Sequence, residues 1–249
     1  MREFFDTFIK DGKVNLFGKV VENWVFILLV VLAVAVVTGF GILFIVLRKK
    51  RKAEPEKRDR ASINVKTLVT GAMCVGLAFV LSFIRIWRMP LGGSITPASC
   101  LPIILFAYVY GWRAGFIASF SYSMLQFLQS MGDAVSFPQV MLDYIVAYTL
   151  LGVAAFFKFK GSIVPAVIAA YACRYFSAVL AAYFFWMQYN ETRFSGVAYC
   201  FLYNAAYIVP ELILCIIIVV IPPVTKMITK LRDDYQNSLK KETVPAEAE

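Results

Sequence analysis

The sequence predicts an all-α, polytopic membrane protein, because it is rich in apolar residues, poor in charge and apolar in long runs. Hydrophobic residues make up 60% of the 249 residues and charged residues only 16%, whereas soluble domains carry about 25% charged residues. The run Trp24–Leu47 contains no charged residue, and several later runs are nearly as apolar. Runs of this length match the hydrocarbon thickness of a bilayer.

Seven transmembrane helices are predicted, one near the N-terminus and six in a core. The first is Trp24–Leu47, and a basic linker, RKKRKAEPEKRDR, separates it from the core. The core spans are expected at Thr67–Trp87, Pro97–Trp112, Ala114–Ser130, Pro138–Phe157, Ile163–Met187 and Val197–Ile221. The second of these is short for a span, so its ends are expected to be buried in protein. We therefore divide the chain into an anchor and linker (1–64), a six-helix core (65–230) and a charged cytoplasmic tail (231–249).

The net charge of +9 follows from membrane topology rather than from a nucleic-acid site. With the basic linker inside, the inner segments hold 17 Lys and Arg residues and the outer segments hold 7, which is the positive-inside pattern. This places the N-terminus outside, the C-terminus in the cytoplasm and the basic segments near anionic lipid. The first helix is longer than the apolar region of a signal peptide and ends in a basic run, so we interpret it as a retained anchor.

The sequence lacks the residues that several kinds of chemistry need. It contains no histidine, the commonest metal ligand and general base. Neither G-x-x-x-x-G-K-[ST] nor G-x-S-x-G is present, so ATP hydrolysis and serine-hydrolase chemistry are not indicated. The five cysteines lie in or beside apolar runs and are interpreted as small apolar residues. No enzyme activity, cofactor, metal or nucleic-acid partner is predicted.

Three charged residues, Asp143, Arg174 and Glu211, lie well inside predicted core helices. A charge at membrane depth is costly, so each one needs a partner or a function. Asp143 has Gln139 four residues before it and Tyr144 directly after it. One interpretation is an ion pair between Asp143 and Arg174, and another is a carboxylate that faces a cationic or amine-bearing ligand. An intramembrane enzyme that uses Asp143 is an alternative from a different functional class.

Aromatic and amide side chains gather on the last two core helices. Trp186 belongs to the cluster AAYFFWMQYN at the outer end of the fifth, which is either an interfacial aromatic belt or part of a ligand site. Three tyrosines four residues apart share one face of the sixth: Tyr199, Tyr203 and Tyr207. Asn204 is expected to hydrogen-bond a ligand, Asp143 or a neighbouring helix.

The stretch LGGSITPASCLPI, between the first two core helices, is polar but uncharged. Gly92 and Gly93 allow backbone conformations that other residues resist, and Pro97 and Pro102 favour the start of a helix. The stretch is therefore either a rigid turn or a segment shaped to cover a ligand.

The first core helix carries two small residues, Ala72 and Gly76, four positions apart. This small-x-x-x-small pattern lets two helices approach closely. It indicates either packing within the core or contact with another membrane protein.

Five segments carry a family resemblance: GGSITPASCLPI, AYVYGWRAGFIASFSYSMLQ, PQVMLDYIVAYTLLGVAAFF, FFWMQY and SGVAYCFLYN. Together they resemble the thiamine-specific substrate-binding subunit of energy-coupling factor transporters. They occur in the order of that family over about residues 65–225 and are specific as a set. The N-terminal helix and its basic linker are additions to the usual six-helix form.

The resemblance implies a vitamin-importer component that binds thiamine near the outer face of the cell membrane. It also implies docking on a membrane coupling subunit driven by two ATPase subunits, which agrees with the missing phosphate-binding motif. The matching ligand residues are Asp143, Tyr144, Arg174, Trp186, Tyr199 and Asn204. We add Gln139, the helical neighbour of Asp143. The cover over the site matches Gly92, Gly93 and Ser94, and the docking pattern matches Ala72 and Gly76.

Three positions depart from the family pattern. Ala178 stands where members commonly have a histidine, Ala182 stands where they have a glycine, and Asp143 is the shorter of the two acidic residues. A pocket reshaped for a thiamine precursor, or for another water-soluble vitamin, is therefore the alternative to thiamine itself.

Overall fold

A computed structural model describes residues 9–10, 13–14, 64–89, 93–130, 137–157, 162–186 and 196–243. The chain divides into two compact units, Met1–Lys57 and Arg58–Glu249. In the first unit, strands β1 (Ile9–Lys10) and β2 (Lys13–Val14) pair in antiparallel fashion. The predicted helix Trp24–Leu47 lies outside the described residues.

The second unit contains the six core helices that the sequence predicts, followed by one more helix. Five are uniform or nearly so: α1 (Val65–Phe83), α2 (Leu101–Tyr110), α3 (Trp112–Gln129), α5 (Val164–Ala181, continued by a π-helical turn at Ala182–Trp186) and α6 (Gly196–Val220). Helix α4 is composite, with segments Phe137–Val140, Met141–Val146, Ala147–Thr149 and Leu150–Phe156. The last helix, α7, is Pro222–Thr243.

Local sequence explains where the first two core helices begin. Asn64 caps α1, because its side-chain oxygen accepts a hydrogen bond from the Thr67 amide at 2.9 Å, as N-cap residues do. Pro102 lies in the first turn of α2. Backbone amides there have no intrahelical acceptor, so a proline, which lacks the amide proton, costs no hydrogen bond. Gly111 then separates α2 from α3 with φ of 95°, a conformation that favours glycine.

Helix α2 forms the centre of the core. It has ten residues, so at about 1.5 Å per residue it is far shorter than a bilayer is thick. Ile103, Ile104 and Ala107 are fully buried, and α2 packs against α1, α3, α4, α5 and α7. The middle of this helix is therefore buried in protein, whereas the ends of the predicted span are not, because Pro97 is half-buried and Trp112 is exposed.

Helix α4 changes its winding along its length. The segment Met141–Val146 is a π-helix and Leu150–Phe156 is a 3₁₀-helix. π-Helical turns often occur at functional sites, because they shift one side chain out of the regular α-helical register. Asp143 lies in the π-helical segment, and α4 packs between α3 and α5.

The stretch between α1 and α2 forms a short hairpin rather than an irregular turn. Strand β3 (Trp87–Arg88) pairs with β4 (Ser94–Ile95) in antiparallel fashion. The Met89 amide donates to the Gly93 carbonyl at 2.7 Å, and β4 packs against α6. This pairing gives the stretch a fixed position at one end of the core.

Three of the described helices are long and apolar enough to cross a membrane: Val65–Phe83, Val164–Phe184 and Val197–Val220. Leu101–Tyr110 and Met141–Phe156 are apolar but shorter, and α3 is interrupted by serines and glutamines. The predicted all-α, multi-pass membrane fold with a six-helix core is confirmed. The proposed domain boundaries stay predictions, and α7 runs across the one at 230/231.

Candidate functional site

A pocket lies at the end of the core where the hairpin meets helices α3 to α6. It brings together most of the side chains that the sequence predicts to bind a ligand. These are Gly93, Ser94, Gln139, Asp143, Tyr144, Arg174, Tyr199 and Asn204. Gly92 and the side chain of Trp186 lie outside the part of the chain that the structure describes.

The carboxylate of Asp143 is oriented by its helical neighbour. The Gln139 amide nitrogen donates to Asp143 Oδ2 at 2.8 Å, and the Gln139 side chain is almost completely buried. Gln139 lies one turn before Asp143, in the α-helical segment that precedes the π-helical one. An oriented carboxylate in a pocket can accept charge-assisted hydrogen bonds from a ligand.

Tyrosines form much of the pocket wall. On α6, the rings of Tyr199 and Tyr203 stack with centroids 5.6 Å apart, and Tyr203 meets Tyr207 edge-on at 5.9 Å. The common face expected from their spacing is therefore present, and all three rings line the pocket. Tyr144 and Tyr148 contribute from α4. Such aromatic faces attract cations and stack on planar rings.

Asn204 is held by its own helix. It is 2% exposed, its amide nitrogen donates to the Cys200 carbonyl at 2.8 Å, and its oxygen accepts from the Tyr207 hydroxyl at 2.7 Å. These contacts, rather than one with Asp143, fix the amide. Asn204 therefore faces the pocket in a set orientation.

Of the two interpretations of Asp143, the ion pair with Arg174 is wrong. Arg174 Nη1 instead lies 2.7 Å from Glu211 Oε2 on α6, and Arg174 Nη2 donates to the Tyr148 hydroxyl at 3.1 Å. The guanidinium also lies over the Tyr148 ring, 4.7 Å from its centroid. Spacing along the chain could not decide which carboxylate faces Arg174, because that depends on how the helices rotate as they pack.

Glu211 connects this ion pair to the segment that follows the hairpin. Its Oε1 accepts from the hydroxyls of Thr96 and Ser99 at 2.8 and 3.1 Å. The side chain is completely buried, and its charge is offset by Arg174 and by two donors. The network thus joins the residues before α2 to helices α5 and α6.

Gly93 lies where the hairpin comes closest to the tyrosine wall. Its amide donates to the Tyr203 hydroxyl at 3.0 Å. A Cβ atom at position 93 would lie 2.8 Å from the Tyr203 hydroxyl oxygen and 3.0 Å from the Tyr207 ring. Only glycine allows this approach without displacing a tyrosine.

The departures from the family pattern fall in the same pocket. Ala178 and Ala182 both line it and are 4% and 5% exposed. Their methyl groups occupy less space than an imidazole at the first position and more than a glycine at the second. The structure thus places these two substitutions where they change the shape available to a ligand.

The sequence analysis missed part of the pocket wall. Seven further polar residues line it: Ser82, Arg85, Thr96, Ser99, Gln126, Gln129 and Ser130. Arg85 lies near the end of the first predicted core span, and the others are small or neutral residues that carry a weak signal individually. The clearest signal was the pair of glutamines three residues apart near the end of the third core span. Among the residues that the structure describes, no group of His, Cys, Asp or Glu could hold a metal ion.

The small residues of α1 lie apart from the pocket. Ala72 and Gly76 are both exposed, and in the described chain no heavy atom outside the neighbouring residues and the backbone of its own helix lies within 4 Å of a Cβ placed at Gly76. The close approach within the core is made one residue earlier in the helix, at Gly71, where a Cβ would lie 2.9 Å from the Phe106 ring. The docking role of Ala72 and Gly76 stays a prediction.

Comparisons with known proteins agree with the resemblance seen in the sequence. The family model described as Thiamine transporter protein matches residues 68–231. The thiamine transporter ThiT of Bacillus subtilis (strain 168) is 28% identical over 144 residues, which cover 52% of this chain and 74% of that protein.

A solved structure shares the fold. ThiT from Listeria monocytogenes superposes with a TM-score of 0.58 at 20% identity, covering 66% of this chain and 97% of that one. The S component of a bacterial ECF transporter gives a TM-score of 0.46 at 24% identity, covering 61% and 92%. Since the family model spans well over half of the sequence, the chain belongs to the thiamine transporter protein family.

Proposed function

We propose that this chain is the substrate-capture subunit of an ATP-driven vitamin importer and that it binds thiamine in the pocket described above. The observation that carries the proposal is the oriented carboxylate of Asp143 among five tyrosines, beneath a hairpin that contacts the tyrosine wall. The family consists of transporters, so Asp143 is proposed to bind a ligand rather than to catalyse a reaction.

The pocket chemistry suits each part of thiamine. The thiazolium ring carries a permanent positive charge, which the faces of Tyr144, Tyr199 and Tyr203 attract. The aminopyrimidine offers a donor and ring acceptors, which suit the Asp143 carboxylate and the Asn204 amide. Trp186, at the end of the π-helical turn that continues α5, is proposed to stack on the ligand. These contacts bind the ligand without covalent chemistry, as release of a transported substrate requires.

The energy for import is proposed to come from partner chains. The sequence has no phosphate-binding loop of its own, and the family resemblance implies a membrane coupling subunit with two ATPase subunits. The exposed face of α1 that carries Ala72 and Gly76 is the proposed docking surface. Two small residues four positions apart would let a partner helix approach closely.

The pocket is proposed to open toward the outside of the cell. Helix α1 follows the basic linker, which the positive-inside pattern places in the cytoplasm. The far end of α1, the hairpin and the pocket would then lie near the outer face. The same orientation puts the N-terminus outside and the C-terminus in the cytoplasm.

A thiamine precursor is the second candidate ligand. Ala178 and Ala182 change the pocket at two positions, and a smaller molecule with one aromatic ring would also contact Asp143 and the tyrosines. The pyrimidine and thiazole halves of thiamine are therefore the informative competitors.

The binding experiment is a tryptophan-fluorescence titration of the full chain, purified in detergent, with thiamine and then with each half. Saturable quenching by thiamine that is lost in Trp186→Phe is expected, and Trp112→Phe, at an exposed position on α3, is the matched control. If only one half quenches the fluorescence, the proposed substrate becomes a thiamine precursor, and the assignment to a transporter is unaffected. An unresponsive, demonstrably folded protein would overturn thiamine binding.

The docking proposal has its own experiment. Ala72→Trp is expected to leave thiamine binding unchanged and to stop uptake in cells, because the bulky ring blocks close helix approach. Ile117→Trp, on an exposed apolar position of α3, is the control and should support normal uptake. Normal uptake by the Ala72→Trp variant would remove Ala72 from the docking surface.

A further inference from the structure

The end of α3 contributes two glutamines to the pocket. Gln126 and Gln129 are three residues apart and therefore share a helix face, and both line the pocket together with Ser82. Gln126 is only 5% exposed. Gln129 is held in place by Ser82, whose hydroxyl lies 2.9 Å from Gln129 Oε1.

The amide nitrogens of both glutamines are buried donors that need an acceptor. Within the described part of the chain, neither Gln126 Nε2 nor Gln129 Nε2 has a hydrogen-bond partner. Nearly all buried polar groups in proteins are hydrogen-bonded, and an unsatisfied donor is destabilising. Two such donors on one face of one helix, lining a pocket, are explained by an acceptor on a bound ligand.

These donors lie on a different part of the wall from the predicted ligand residues. Asp143 is on α4, which packs between α3 and α5. Asn204 and the tyrosine face belong to α6, which packs against α5. The glutamines therefore approach the ligand from the α1 and α3 side, whereas Asp143 and Asn204 approach it from α4 and α6.

Thiamine has one polar group that the proposed contacts leave unmatched. Asp143 and Asn204 take the aminopyrimidine, and the aromatic rings take the thiazolium. The hydroxyethyl oxygen remains, and it accepts hydrogen bonds of the kind that an amide N–H donates. The thiazolium ring separates the hydroxyl from the aminopyrimidine. The hydroxyl would therefore be hydrogen-bonded by a second set of donors on another helix.

We propose that Gln126 and Gln129 form a donor subsite for the alcohol oxygen of the ligand and that this subsite makes the protein select ligands carrying that oxygen. The inference rests on the proposed function, because it names the contact made by one end of the same ligand. The subsite extends the recognised part of the molecule beyond its two rings.

The test compares thiamine with an analogue in which ethyl replaces hydroxyethyl. Equilibrium dissociation constants are measured by fluorescence or calorimetry on the full chain, purified in detergent. The wild-type protein should bind thiamine about tenfold more tightly than the analogue, roughly the effect of one hydrogen bond. The near-isosteric variants Gln126→Met and Gln129→Met should each reduce or abolish the preference for thiamine over the analogue. They should do so mainly by lowering the affinity for thiamine.

Gln236→Met, on α7 and outside the pocket, is the matched control and should keep the wild-type preference. If both pocket variants lose affinity for thiamine and the analogue equally, the glutamines only support packing and the subsite is overturned. If the wild-type protein binds the two ligands equally well, the subsite proposal is overturned, whereas the proposal that the protein binds thiamine still stands. A wild-type protein that binds neither ligand overturns the proposed function as well.

Discussion

Asp143 and Glu211 are both carboxylates on helices of the core, yet their surroundings differ. Glu211 is completely buried and accepts from Arg174, Thr96 and Ser99. Asp143 is partly exposed, lines the pocket and accepts from the neutral amide of Gln139. A charge at membrane depth is stable only when another group compensates it.

The difference separates a structural carboxylate from a ligand-binding one. The charge of Glu211 is compensated by a cation from α5, so its contribution is to join α5, α6 and the segment before α2. Asp143 presents its oriented charge to the space where a ligand would sit. Substitutions at the two positions should therefore affect different measurements, stability for Glu211 and affinity for Asp143.

The largest expected effect comes from breaking the buried ion pair. Glu211→Ala leaves the Arg174 guanidinium buried without its carboxylate, and loss of one partner of a buried pair costs about 3–5 kcal/mol of stability. The measurement is the thermal unfolding midpoint of the full chain in detergent. An unchanged midpoint would show that Glu211 does not hold the helices together.

The double variant Arg174→Met/Glu211→Leu is the control for that change. Replacing both charges by apolar side chains of similar size is often neutral or stabilising, so most of the lost stability should return. If the double variant is as unstable as Glu211→Ala, the hydroxyl contacts from Thr96 and Ser99 matter more than the charge pair.

Asp143→Asn is the corresponding change in the pocket. The amide keeps an oxygen for Gln139 but removes the charge, so the fold should persist while thiamine binding weakens by about 1–3 kcal/mol. Calorimetric titration gives the affinity, and the unfolding midpoint should stay near that of the wild type. Wild-type affinity in this variant would remove Asp143 from the site and end the contrast with Glu211.

Trp186→Ala tests whether a second pocket residue besides Asp143 contacts the ligand. Loss of an aromatic contact with the ligand should weaken binding by about 1 kcal/mol. Trp112→Ala, an exposed position on α3, should bind as the wild type does. Equal behaviour of the two variants in a binding titration would assign Trp186 to the interfacial belt.

The helices and much of the site could be predicted because their signals are local. Apolar runs defined the six core helices, and the four-residue spacing of Tyr199, Tyr203 and Tyr207 defined a shared face that the structure contains. Proline and glycine in the stretch before α2 indicated a helix start close by, but the predicted span begins at Pro97 whereas α2 begins at Leu101.

The pairing of charges could not be predicted, because it depends on long-range packing. Arg174 meets Glu211 rather than Asp143, and nothing in the sequence specifies the rotation of α4, α5 and α6 that produces this. The π-helical winding at Asp143 and the β3–β4 hairpin are likewise set by tertiary contacts. Neutral residues such as Gln126 carried a weak signal, since one glutamine in an apolar run is compatible with many structures.

The smallest expected effect concerns the hairpin, because it is connected both to the Glu211 network and to the pocket that contains Asp143. Thr96 joins it to Glu211, whereas Gly93 joins it to the pocket through the Tyr203 hydroxyl. Tyr203→Phe removes only the second connection. Because one hydrogen bond contributes about 0.5–1.5 kcal/mol, thiamine affinity should fall by a small factor, mainly through faster dissociation.

The matched control is Tyr175→Phe, which removes one hydrogen bond to the Phe201 carbonyl from a ring that does not line the pocket. It should lower the unfolding midpoint about as much as Tyr203→Phe but leave the dissociation rate unchanged. Dissociation rates come from displacement of bound thiamine in a stopped-flow experiment. If both variants release thiamine at the wild-type rate, the Gly93–Tyr203 contact does not retain the ligand, and the hairpin is held over the pocket by the Glu211 network alone.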